Sequence, residues 1–95
     1  FRIIIINNSG GGIFKIIPGP KKSSALKFFE TPHCLTAQHL CKMHRLDYSK
    51  SHDIETLDEE LADFYKESTQ PKLLEIFTPS SQNDLVLKEY INSLK

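Results

Sequence analysis

The chain predicts a parallel α/β fold in three layers, α/β/α, and three observations lead there. Residues 3–6 are four consecutive isoleucines, the pattern of a strand buried on both faces in a parallel sheet. Residues 73–77 form a second apolar run of the kind found in central strands. Between and after these runs, segments with helical spacing alternate with strand-like segments, as parallel sheets covered by helices require.

Taken in order, the strand at residues 3–6 stops at Asn7-Asn8-Ser9-Gly10-Gly11-Gly12, which cannot continue a strand and reads as a tight loop. Residues 13–17 are apolar again, and Pro18 and Pro20 close them, so they read as one helical turn or an extended piece. Residues 18–24 read as a loop and 25–29 as a short helix or turn. Thr36 reads as a helix N-cap, with Ala37, Leu40, Cys41 and His44 on one face behind it. Residues 46–49 suit a short strand. Thr56 and Glu59 fit a capping box, followed by Leu57, Leu61, Phe64 and Tyr65 at helical spacing. Pro79, Ser80 and Ser81 break the strand at 73–77. A last amphipathic helix over residues 84–94 puts Leu87, Tyr90, Ile91 and Leu94 on one face. No internal repeat and no domain boundary interrupts residues 1–95.

The 12 basic and 12 acidic side chains cancel, so no overall basic field exists to draw nucleic acid or an anionic membrane. No apolar run approaches the roughly 20 residues of a membrane span. Cys34 and Cys41 are too few for a disulfide framework and lie in helix-like surroundings, which predicts reduced thiols and an intracellular protein. The chain opens on Phe1 and goes directly into a strand, which reads as a cut made just before that strand.

The loop carries the chemistry. In open parallel sheets, ligands bind beyond the carboxyl ends of strands, where residues 7–12 fall. Three successive glycines admit close backbone approach and positive φ, and successive N–H groups in such turns make anion-binding concavities. An asparagine carbonyl is a neutral oxygen ligand for a hard cation, and Mg²⁺ is commonly shared between a few protein oxygens, phosphates and water. A diphosphate–Mg²⁺ site is therefore chemically sensible. A plain glycine-rich turn has the same composition, and short glycine motifs alone do not separate the two.

An apolar strand followed by Asn-Asn-x-Gly resembles the second half of the signature of thiamine-diphosphate enzymes. The longer string Asn7-Asn8-Ser9-Gly10-Gly11-Gly12-Ile13-Phe14, then Ile17-Pro18, is similar to the branch that serves menaquinone biosynthesis. So is Phe28-Phe29-Glu30-Thr31-Pro32-His33, followed by Ala37, His39, Leu46 and Tyr48. The resemblance spans residues 1–78. It implies that the chain is the C-terminal half of a thiamine-diphosphate-binding domain. Asn8 and Gly10 would hold Mg²⁺ or Mn²⁺, and Gly10, Gly11 and Gly12 would lie along the cofactor diphosphate. Ile13, Phe14 and Ile17 would be apolar walls beside the cofactor, with Ile13 and Phe14 also facing the substrate. The implied parent is a cytoplasmic homodimer or homotetramer that decarboxylates 2-oxoglutarate and adds the succinyl unit to isochorismate. It also implies that Leu73–Phe77 lies between the first strand and the strand near Tyr48. The Gly-Asp-Gly half of the signature and the domain that supplies the activating glutamate are not among these residues. The chain alone is thus expected to be inactive and to self-associate through the strand at residues 2–6.

Other groupings have plainer readings. His33, Cys34, His39, Cys41 and His44 are dense, yet Cys34 and Cys41 lack zinc spacing and a helix would separate His39 from Cys41. Neither cysteine has an evident oxyanion hole or third orienting group for nucleophilic catalysis. Asp58, Glu59 and Glu60 suit the first turn of a helix, where they favour its dipole. Lys21 and Lys22 are too small a patch for nucleic acid. Two other functions stay open at this level. One is a different thiamine-diphosphate enzyme, such as an acetohydroxyacid-synthase-like protein or a decarboxylase. The other is a non-catalytic phosphate-binding or interaction module.

Overall fold

The isoleucine run, the residues around Tyr48 and the late apolar run form the strands their composition predicts. In a computed structural model that describes residues 1–95, these are β1 (Arg2–Asn7), β2 (Asp47–Ser51) and β3 (Lys72–Phe77). All pair in parallel in the order β1-β3-β2, which puts β3 at the centre as expected. The helices are α1 (Leu26–Glu30), α2 (Gln38–His44), α3 (Ile54–Phe64) and α4 (Asn83–Ser93). Short 3₁₀ turns cover Gly12–Lys15 and Pro20–Lys22. None of the helices is long and apolar enough to cross a membrane.

The chain divides into two compact units, residues 1–7 with 35–77 and residues 8–34 with 78–95. The first holds the sheet. Alternation sends Leu73 and Glu75 to one face of β3 and Lys72 and Leu74 to the other. On the first face, Leu73 joins Ala37 and Cys41 in a buried cluster flanked by Ile3, Ile5, Leu46 and Tyr48. On the opposite face, Lys72 Nζ donates to Asp63 O (2.8 Å) and Arg2 Nε to Phe64 O (2.8 Å), which fastens the end of α3 there. This unit therefore has the helix–sheet–helix layering the sequence predicts. Leu74 and Phe64 are fully buried within it.

In the second unit, α4 follows the 3₁₀ turns and α1 in sequence. Asp84 at its start is buried and lies 3.7 Å from Lys21 Nζ and 3.8 Å from Lys88 Nζ. The nearby Lys21 ammonium, more than desolvation, pulls Lys88 below the ordinary lysine range.

Several sequence expectations change. β1 is not buried on both faces: Ile4 and Ile6 are 44% and 60% exposed, because α3 covers only the start of β1 on their side. Helix α2 is capped at Ala37; Thr36 Oγ1 instead accepts from Gln38 N at 3.1 Å. Its buried residue is Cys41, while Leu40 and His44 face outward. The N-cap of α3 is Asp53, whose carboxylate accepts from Thr56 N at 2.8 Å, so Thr56 is the third helical residue and not the cap. Asp58, Glu59 and Glu60 then fall in mid-helix, leaving Glu55 as the acid of the first turn. Tyr65 caps that helix at its C-terminus and is exposed. Leu87, Tyr90, Ile91 and Leu94 of α4 are exposed as well, so their face is not core.

Candidate functional site

The loop begins where β1 ends. Glycine was expected to supply the positive φ here, yet among residues 8–12 the left-handed residue is Ser9, at φ 62°; the only glycine with positive φ is Gly19. Holding a serine there costs about 1 kcal/mol, a local strain of the sort that gathers at binding sites. Ser9 O accepts from His33 N at 2.9 Å, which ties the turn to the segment after α1.

The glycines serve close approach instead. A Cβ on Gly10 would stand 2.8 Å from Glu30 O, and one on Gly12 would stand 3.1 Å from Asn8 Nδ2. Gly11 N donates to Glu30 O at 2.6 Å and Gly12 N to Gly10 O at 3.1 Å. Asn8 Oδ1 accepts from Gly10 N at 3.3 Å. Each of these carbonyl oxygens keeps a second lone pair. Two neutral oxygens, Asn8 Oδ1 and Gly10 O, thus belong to one short turn, a donor set that suits part of a hard-cation shell. A cavity of about 60 Å³ opens among Asn8, Ser9, Gly10, Gly12, Lys15 and Glu30. At about 30 Å³ per water it has room for about two waters, not for a diphosphate.

The three apolar residues named from the sequence follow directly. Ile13 and Phe14 lie in the Gly12–Lys15 turn and Ile17 just beyond it. Phe14 packs on Phe29, ring centroids 5.6 Å apart, and a Cβ on Gly11 would meet the Phe14 ring at 3.2 Å. Ile13 is 61% exposed, so its side chain is free to face a ligand.

Sequence reasoning missed two groups. Lys15 and Glu30 pair at 3.0 Å beside the loop, and Lys15 Nζ also donates to Ser80 O at 2.8 Å. Their signal, a lone cation and a lone anion flanking apolar strings, is too weak to pair them. The second group is Glu75, 1% exposed in the central strand. Its Oε2 accepts from Asn7 Nδ2 (2.8 Å), and its Oε1 from Ala37 N (3.0 Å) and Tyr48 Oη (2.8 Å). Burial, then the hydrogen bond and charge of Glu75, push the Tyr48 phenol up to about 12. Burial, with Glu75 adding to it, also raises the Cys41 thiol. A charge inside an apolar strand run was the available clue, because a buried carboxylate has to be matched by donors.

No family model matches the chain. Curated relatives do. Over its whole length it is 53% identical to the 2-succinyl-5-enolpyruvyl-6-hydroxy-3-cyclohexene-1-carboxylate synthase of Christiangramia forsetii. It is 46% identical over 99% of its length to the synthase of the same name from Flavobacterium johnsoniae. Across its length the chain is similar to one segment of these synthases. A more distant synthase of the same name, from Cytophaga hutchinsonii, is 36% identical over 99% of the chain. The chain spans 17% of the length of each of these synthases.

Proposed function

We propose that the chain is the segment of a thiamine-diphosphate-dependent synthase of menaquinone biosynthesis that carries one half of its metal and diphosphate site. The observation that supports this most is the Asn8–Gly12 turn, with its two neutral oxygens, in a chain 53% identical to a named synthase. Asn8 Oδ1 and Gly10 O are proposed to hold Mg²⁺ or Mn²⁺. Gly11 and Gly12 are proposed to keep side chains away from the diphosphate, so that backbone N–H groups reach it. The N–H of Gly11 then has to leave Glu30 O. Ile13, Phe14 and Ile17 are proposed to exclude water from the reacting centre.

The parent reaction is proposed to be decarboxylation of 2-oxoglutarate and transfer of the succinyl unit to isochorismate, in a cytoplasmic homodimer or homotetramer. Bound thiamine diphosphate supplies the carbanion chemistry; the protein supplies placement and charge stabilisation. The segment alone is proposed to be inactive and to bind the cofactor weakly, since neutral oxygens alone hold Mg²⁺ loosely. The test is an assay of the full-length protein with both substrates. Product is expected only when thiamine diphosphate and a divalent metal are present. Full turnover after both are removed would contradict the reading.

A further inference from the structure

We propose that Glu75 is a positioning residue that sets where Asn8 leaves the sheet, acting through Asn7. The inference rests on the reading of Asn8 as a metal ligand. Asn7 is the last residue of β1 and is itself buried. Its amide spends one donor on Leu35 O (2.9 Å) and another on Glu75 Oε2 (2.8 Å). The same carboxylate takes the backbone N–H of Ala37 and the hydroxyl of Tyr48 on its other oxygen. One fully buried carboxylate therefore ties together the end of β1, the start of α2 and the start of β2. An ion buried this deeply holds its partners firmly, since removing a donor leaves an uncompensated charge.

The arrangement is directional. Asn7 can satisfy Leu35 O and Glu75 only with its nitrogen turned toward both, which fixes the side-chain orientation of the residue bonded to Asn8. A general packing role needs no such polarity; a leucine–leucine contact across β1 and β3 would do. An acceptor at this spot in the central strand is what orients an asparagine.

Glu75→Gln tests this in the full-length synthase, because it keeps an oxygen for Ala37 and Tyr48 while presenting an N–H₂ to the Asn7 amide. The readout is the Mg²⁺ concentration that half-saturates thiamine diphosphate binding, followed by protein fluorescence. It is expected to rise about tenfold, the size of effect that loss of an outer-shell partner has on metal sites. Asp53→Ala, which removes the α3 cap, controls for lost stability and is expected to leave that concentration within about twofold. Unchanged half-saturation in Glu75→Gln, or an equal rise in Asp53→Ala, overturns the inference. If Glu75→Gln does not fold, Asn7→Ala takes its place, with the same expected rise and the same overturning result. Asn8→Ala run alongside separates the two readings. If it shifts the metal requirement and Glu75→Gln does not, only the positioning role fails. If it does not shift the requirement, the site reading fails and the positioning role with it.

Discussion

Phe14 separates a wall from a core residue. Its ring rests on Phe29 and against Gly11 and is only half-buried, so truncation leaves no sealed cavity. Phe14→Ala in the full-length synthase is therefore expected to lower turnover at least tenfold while costing well under the roughly 3–5 kcal/mol of a buried Phe→Ala change. Matched thermal melts and kcat measurements check it; a stability loss of that full size with a proportionate activity loss would make Phe14 ordinary core. At this scale the sequence was most legible where chemistry is local. Asn8 and Gly10 fall in one turn because they are two residues apart. Glu75 was not legible, since its donors come from residues 27 to 68 positions away. Positive φ at Ser9 was hidden by three better candidates immediately after it.

Among the elements, strands were read more accurately than helix starts. The runs at 3–6 and 73–77 fall within β1 and β3, and the parallel pairing followed from their apolar character. Helix α3 is predicted by its apolar spacing, but it starts three residues earlier than the Thr56–Glu59 capping box implies, because Asp53 is the cap. Thr56 does hydrogen-bond to the cap, through both its N–H and its hydroxyl, each 2.8 Å from Asp53 Oδ1. Those bonds hold the Asp53 carboxyl below the usual aspartate range. Because the folded pKa is depressed, the charge stabilises α3 above the unfolded pKa and stops doing so as pH falls through the folded one. Asp53→Asn keeps the capping geometry but not the charge. Its α3 amides are expected to exchange faster than those of the native protein at pH 6, with the gap closing as pH falls through the depressed pKa of Asp53. A gap of constant size across that range would contradict the charge-based cap.

The whole chain poses a question of covering. β1 and β2 are both edges of a three-stranded sheet, and β1 adds exposed Ile4 and Ile6 to its unpaired edge. An apolar, β-branched edge with Arg2 as its only charge is a template for another strand. We therefore expect the isolated 95-residue chain to self-associate, seen by light scattering as a dimer or larger species. A strict monomer at high concentration, with unprotected amides in β1, would count against it. The isoleucine run predicted burial on both faces, and the structure half-buries only the face of Ile3 and Ile5.

The Asn8–Gly12 turn is proposed to bind the metal that carries the diphosphate. Asn8→Ala in the full-length synthase removes one neutral oxygen and leaves β1 and Gly10 in place. Thiamine diphosphate binding is titrated with Mg²⁺ in native and variant protein. The variant is expected to need at least about tenfold more Mg²⁺, the loss expected of a metal-shell group, with thermal stability of the metal-free protein unchanged. Superimposable Mg²⁺ curves for the two proteins would contradict it.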